Sequence, residues 1–251
     1  MHLFDSHLHI IAPKFPLIPN QGYLPPFFTI EDYLIRAKEL NITGGAVVSG
    51  SFQGFDQTYL IAALKELGPT FVGVTQLPAT TTDEEIVHLH QKGVRAIRFN
   101  CKRGGSETLE HLETFAKRVH EVAGWHTELY IDSCDLPALS KILEKLPSIS
   151  IDHLGLSKEG FPHLLALVEK GAHVKATGFG RVNFDIASAL QQIVQVNPNA
   201  LMFGTDLPST RAPRPFMPED IQLIRDTFEE AIATKILYKN GIELYKIFSI
   251  S

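Results

Sequence analysis

The feature that most constrains this chain is an alternation. Short runs rich in β-branched and apolar residues end in polar side chains, and each is followed by a segment with helical spacing. The runs fall at 3–7, 45–49, 71–76, 94–99, 127–132, 148–153, 173–177 and 201–206. Strands separated by helices lie parallel, because the helix carries the chain back to the start of the next strand. Eight such units predict an α/β fold of the (β/α)8 TIM-barrel type, and 251 residues are close to the size of one barrel, so 1–251 is expected to form a single domain. An open doubly wound sheet would want a glycine-rich turn after the first strand. Here that stretch reads HLHIIAPKF, without glycine.

Helix punctuation supports the alternation. Thr29 with Asp32, and Thr82 with Glu85, have capping-box spacing. Gly68, Gly93, Gly124 and Gly171 stand where helices should stop. The proline-rich stretch 13–26 is long for a strand-to-helix loop, which makes it a candidate lid or a stiffened surface loop.

Composition narrows the function classes. A net charge of −5 without an acidic or basic tail argues against a nucleic-acid or anionic-membrane partner. No apolar run is long enough to span a bilayer, and the N-terminal MHLFDSHLHI does not read as a secretory signal. The two cysteines, Cys101 and Cys134, are too few for a disulfide framework and fit a reducing cytoplasm. Association into a homo-oligomer is left open.

In a (β/α)8 barrel the active site lies at the C-terminal ends of the strands. Those ends carry His7 and His9, Ser49 and Ser51, Gln76, Arg98 and Asn100, Tyr130 and Asp132, His153, Lys175 and Thr177, and Asp206. Asp5, His7 and His9 are two apart, so they share one face of the first strand, where two imidazoles can hold a metal ion or an oxygen. Asp5 is expected to orient His7 through its other ring nitrogen. Arg103, Arg211 and Arg214 fall on loops at the same end and, with Arg98 and Arg181, suggest an anionic small-molecule substrate. His2, His88, His90, His111, His120 and His163 read as solvated, and His126 as lying at the wrong end for chemistry.

The segments Asp5-Ser-His-Leu-His9, Gly93-Val-Arg-Ala-Ile-Arg-Phe-Asn100, Ile151-Asp-His-Leu-Gly155, Val174-Lys-Ala-Thr-Gly178 and Phe203-Gly-Thr-Asp-Leu-Pro208 follow one another along the chain. In that order they resemble motifs of the amidohydrolase-related superfamily. They are most similar to its branch of metal-independent or weakly metal-dependent lactonases, which includes 2-pyrone-4,6-dicarboxylate hydrolase and sugar-acid lactonases. Asn240-Gly-Ile-Glu-Leu-Tyr245 is similar to the closing helix of that group. The resemblance implies a metal-dependent-hydrolase-like barrel that opens a carboxylated or polyhydroxylated lactone. Asp206 would be the general base, made more basic by a dry pocket. His7, His9 and His153 would polarise the carbonyl. Arg98 and Arg181 would grip a substrate carboxylate, Tyr130 would hydrogen-bond the substrate, and Lys175 would sit inside the barrel, balancing Asp206.

The sequence also departs from metal-dependent members, whose fifth strand ends in a histidine and whose binuclear sites are bridged from the fourth. Residues 128–133 read ELYIDS, and the fourth strand ends in Arg98, a cation. A binuclear site is therefore not expected and no obligatory cofactor is implied. A single divalent cation such as zinc on His7, His9 and Asp206 is left open. The competing readings are a mononuclear metal-dependent decarboxylase or amidohydrolase of the same superfamily, and a non-catalytic barrel that binds a small acidic metabolite.

Overall fold

The computed structural model describes residues 2–247. Eight parallel strands run in sequence order around one barrel: β1 (Leu3–Leu8), β2 (Ile42–Val48), β3 (Phe71–Thr75), β4 (Val94–Asn100), β5 (His126–Tyr130), β6 (Ile149–Ile151), β7 (His173–Ala176) and β8 (Leu201–Phe203). The ring closes just beyond β8, where Asp206 N donates to His7 O at 2.7 Å and His9 N donates to Leu207 O at 2.8 Å. The principal helices are α1 (Ile30–Glu39), α2 (Thr58–Leu67), α3 (Asp83–Gln91), α4 (Leu112–Ala123), α5 (Leu136–Leu143), α6 (Phe161–Glu169), α7 (Ile186–Val196) and α8 (Pro218–Thr227). The expected barrel and its strand positions are therefore observed. Among the described residues no helix is long and apolar enough to cross a membrane.

The local signals act as the physics requires. Thr29 and Asp32 form a reciprocal capping box at α1. At α3 the Thr82 hydroxyl accepts from Glu85 N at 3.2 Å, satisfying one orphan donor of the helix start. Leucines, isoleucines and phenylalanines of the helices, among them Leu60, Ile86, Phe115, Leu164 and Ile193, pack outside the strands. Inside the barrel, small and medium residues (Ala46, Val48, Val72, Val74, Ala96, Met202) fill the lower end around Phe4 and the fully buried Tyr245. Tyr245 follows the short helix Asn240–Leu244, so the closing segment of the described chain plugs the barrel floor. Above that plug the interior turns polar, and the site begins.

Candidate active site

His7 is fully buried near the end of β1, and His9 follows just beyond the strand. Asp206 arrives beside them because Gly204 lets the chain after β8 come close: a Cβ there would lie 2.8 Å from both the Cβ and the main-chain N of His7. Asp206 and His153 both adopt left-handed backbone, φ 60° and 52°, a conformation costing L-residues on the order of 1–2 kcal/mol. Such strain persists only where the surroundings enforce it and is common at functional positions. Gly178 plays the matching part for His153, since a Cβ there would come within 2.5 Å of His153 Nδ1.

These elements bring His7, His9, His153 and Asp206 together. Asp206 Oδ1 faces His7 Nε2 at 3.8 Å and His9 Nε2 at 3.7 Å. Neither Asp206 Oδ1 nor His7 Nε2 has a hydrogen-bond partner, although both are buried. The His153 ring lies 4.9 Å from that of His7 and stands edge-on to Tyr130 at 5.1 Å. The other Asp206 oxygen, Oδ2, accepts from Arg181 Nε at 2.8 Å and Nη2 at 2.6 Å. This corrects the expectation of a raised carboxyl pKa. Burial does push Asp206 up, but the adjacent Arg181 charge, reinforced by His153, His9 and His7, holds it far below the usual range. Burial moves His7 the other way, down to about 4, with Lys175 adding to the shift, so the ring is neutral at ordinary pH. His153 is also driven well below its normal value by burial, against the pull of Asp206.

A second charged layer lies beneath, and much of it was not anticipated. Asp152, just after β6, takes Arg98 Nη2 at 2.7 Å and Nε at 3.1 Å on one oxygen, while Arg98 Nη1 donates to Ser49 O at 2.9 Å. Arg98 thus meets a carboxylate of the protein itself, as Arg181 does. Lys175 does not balance Asp206. Its Nζ donates to Glu128 Oε2 at 2.5 Å and lies 3.3 Å from His7 Nδ1 and 3.6 Å from Asp152 Oδ1. Tyr245 donates to Glu128 Oε1 at 2.5 Å, and His126 Nε2 lies 3.1 Å from the same oxygen. Asp5 does not orient the His7 ring either. Its carboxylate accepts from Thr205 N (2.8 Å), Thr205 Oγ1 (2.6 Å), Tyr33 OH (3.1 Å) and the main-chain N of His7 (3.1 Å), so it clamps β1 to the segment after β8. Burial pushes the Asp5 carboxyl up to about 6 despite those bonds.

The rim of the pocket is built differently. Tyr23, Arg103 and Arg211 border it together with His9, Tyr130 and Asp206. Arg211 stacks over the Tyr23 ring at 4.3 Å and donates to Asn20 Oδ1 at 3.2 Å, with a further bond to Asn20 O. Asn20 Nδ2 in turn donates to Arg103 O at 3.1 Å, so the proline-rich stretch is tied down beside the pocket mouth. Among the described residues the Arg103 guanidinium has no hydrogen bond or ion pair, and Arg211 meets no carboxylate. Partial burial and the neighbouring Arg103 charge both lower the Arg211 pKa. Arg214 is not part of the rim: it pairs with Asp220 at 2.8 Å. Nor are all the remaining histidines solvated. His90 accepts from Trp125 Nε1 at 3.2 Å, and His120 Nδ1 bonds Trp125 O at 3.1 Å, so both support a buried indole.

A family model described as amidohydrolase matches residues 4–247. The chain belongs to the amidohydrolase family. Among amidohydrolase-like relatives, 2-pyrone-4,6-dicarboxylate hydrolase of Comamonas testosteroni is 27% identical over 275 residues, covering 96% of this chain and 89% of that one. The 4-sulfomuconolactone hydrolase of Rhizobium radiobacter is 26% identical over 274 residues, covering 97% and 90%. A crystal structure of a probable 2-pyrone-4,6-dicarboxylic acid hydrolase from Acinetobacter baumannii, with citric acid bound, superposes with a TM-score of 0.84. It is 24% identical and covers 98% of this chain and 100% of its own, so it attests the shared fold. Amidohydrolases often carry metal. In this chain one donor atom from each of His7, His9 and Asp206 lies within 4.8 Å of the others, as do those of His7, Asp152 and His153. By separation alone either group could hold a cation.

Proposed function

We propose that this amidohydrolase hydrolyses a lactone bearing carboxylate or other acidic groups, using water activated by Asp206. The observation that carries the reading is the gap among Asp206 Oδ1, His7 Nε2 and His9 Nε2. Two of its three edges are 3.7 and 3.8 Å, too long for direct hydrogen bonds and suited to one bridging oxygen. Water held there attacks the lactone carbonyl carbon and gives its proton to Asp206 Oδ1. The ring C–O bond then breaks, and the departing alkoxide recovers the proton, so an open-chain hydroxy acid leaves and no covalent enzyme intermediate forms. His7 and His153 polarise the carbonyl and stabilise its developing charge, His9 helps to hold the attacking water, and Tyr130 hydrogen-bonds the substrate from the fifth strand.

The rim supports an anionic substrate. Arg103 and Arg211 offer positive charge without a carboxylate facing it, and the two named relatives act on a dicarboxylate and a sulfonated lactone. Arg181 also borders the pocket. A substrate carboxylate that draws Arg181 away from Asp206 would make that base stronger at the moment of binding. No metal is obligatory in this reading. The buried Lys175 lies beside His7, and Arg181 occupies one oxygen of Asp206, both of which oppose a further positive charge. A single-ion decarboxylase or amide hydrolase draws on the spacing of His7, His9 and Asp206.

A panel of carboxylated and sugar-acid lactones, followed by a pH indicator with and without chelator, separates the two. Turnover that survives chelation supports the lactonase, and stoichiometric zinc whose removal ends activity supports the alternative. In Asp206→Asn, turnover is expected to drop by about 10²–10⁴-fold or more while substrate still binds. Near-normal turnover in that variant rules out the mechanism.

A further inference from the structure

The two imidazoles of the first strand differ at their inner nitrogens. His9 Nδ1 lies 2.7 Å from Val48 O, and a carbonyl only accepts. His9 therefore carries its hydrogen on Nδ1 and turns a lone pair at Nε2 toward the pocket. His7 Nδ1 lies 3.3 Å from Lys175 Nζ, and an ammonium only donates. A hydrogen bond there makes His7 Nδ1 the acceptor and places the ring's hydrogen on Nε2. The competing acceptor for a hydrogen on Nδ1 is Asp152 Oδ1, which at 3.5 Å lies farther from that nitrogen than Lys175 Nζ does. Lys175 has little freedom to turn away, because Glu128 holds it at 2.5 Å and Tyr245 and His126 hold Glu128.

We propose that Lys175 is a positioning residue that sets the tautomer of His7, making the His7–His9 pair one hydrogen-bond donor and one acceptor instead of two metal ligands. A nitrogen that carries hydrogen has no lone pair for a cation, so the set that fits by distance does not fit by donor chemistry. It does fit one water. The water oxygen accepts from His7 Nε2, while its two hydrogens go to His9 Nε2 and Asp206 Oδ1. On the reading of the site as a hydrolase, on which this use of the tautomer rests, the water is held with a lone pair free for attack.

The test is nuclear magnetic resonance of the full-length protein carrying ring-15N histidine, with His7 assigned from the signals lost in His7→Gln. The expected spectrum has His7 protonated on Nε2 and His9 on Nδ1. Lys175→Met strands Glu128 as a buried charge, so it is paired with Lys175→Met/Glu128→Gln, which removes both charges. In the double variant the His7 hydrogen is expected to move to Nδ1, facing Asp152. Zinc, titrated alone, should then bind about tenfold or more tighter than to the wild type, and kcat should fall with KM little changed. Glu128→Gln alone keeps the donor and should keep the tautomer. Wild-type His7 protonated on Nδ1, or a double variant still protonated on Nε2, overturns the proposal. The expected spectra in a protein that turns over no lactone would sink the lactonase reading and leave the tautomer assignment standing.

Discussion

The pocket arginines fall into two sets that differ in what faces them. In the interior, Arg98 and Arg181 are each bonded to a carboxylate of the chain, Asp152 and Asp206. At the mouth, Arg103 has no side-chain partner among the described residues, and Arg211 rests on Asn20 and Tyr23. A compensated charge in a dry interior mainly holds other groups in place, whereas an uncompensated one beside solvent is available to a visitor. The contrast separates what keeps the site assembled from what selects its ligand, and it can be attacked variant by variant.

The largest effect should come from the interior set. Arg98→Met leaves Asp152 buried with Lys175 3.6 Å away as its remaining cation, and is expected to cost about 3–5 kcal/mol in urea unfolding. A loss below about 1 kcal/mol would erase the distinction. Acid should test the same layer. His7 titrates near 6.5 when unfolded and near 4 when folded, so between those values the unfolded chain binds the extra proton. Stability therefore falls as pH is lowered from 6.5 to 4, on the order of 3 kcal/mol from His7 alone. His153 acts in the same direction, while Asp5, raised to about 6, opposes them by taking up its proton in the folded state first. The melting temperature should decline over this window, and a flat profile would contradict the dry environment assigned to the histidines. At the mouth, Arg103→Ala and Arg211→Ala should each raise KM for an anionic lactone by about tenfold, with unfolding free energy nearly unchanged. Equal damage to stability would place them with the interior set. Arg214→Ala, removing a half-exposed pair with Asp220, should move stability by less than about 1 kcal/mol and leave KM alone.

Much of this was legible in the chain. All eight strands are readable from their β-branched runs, and strand ends pointed to His7, His9, His153 and Asp206 as neighbours. Asp152 escaped because strict alternation turns it away from the face of His153. A tight turn at 153–155 with His153 at φ 52° breaks that alternation, and both residues lie in the interior. Glu128 was missed for another reason: it lies mid-strand, below the strand ends where a barrel carries its active site. A signal was present, since Glu128 and Tyr130 are two apart in β5 and share a face. Pairing choices were out of reach, because Lys175 selecting Glu128 over Asp206 depends on barrel geometry and not on spacing.

The clamp of Asp5 on Thr205 joins residues 200 positions apart, and the bond from the Tyr245 hydroxyl to Ser6 O spans 239. Contacts so distant along the polymer form slowly, since a long loop must close before they contribute anything. Partly folded intermediates of this protein should therefore be inert, with half-barrels that expose neither the acid nor its imidazoles in working order. Hydrolytic power would switch on in a single late step, when the first strand and the closing turn finally meet.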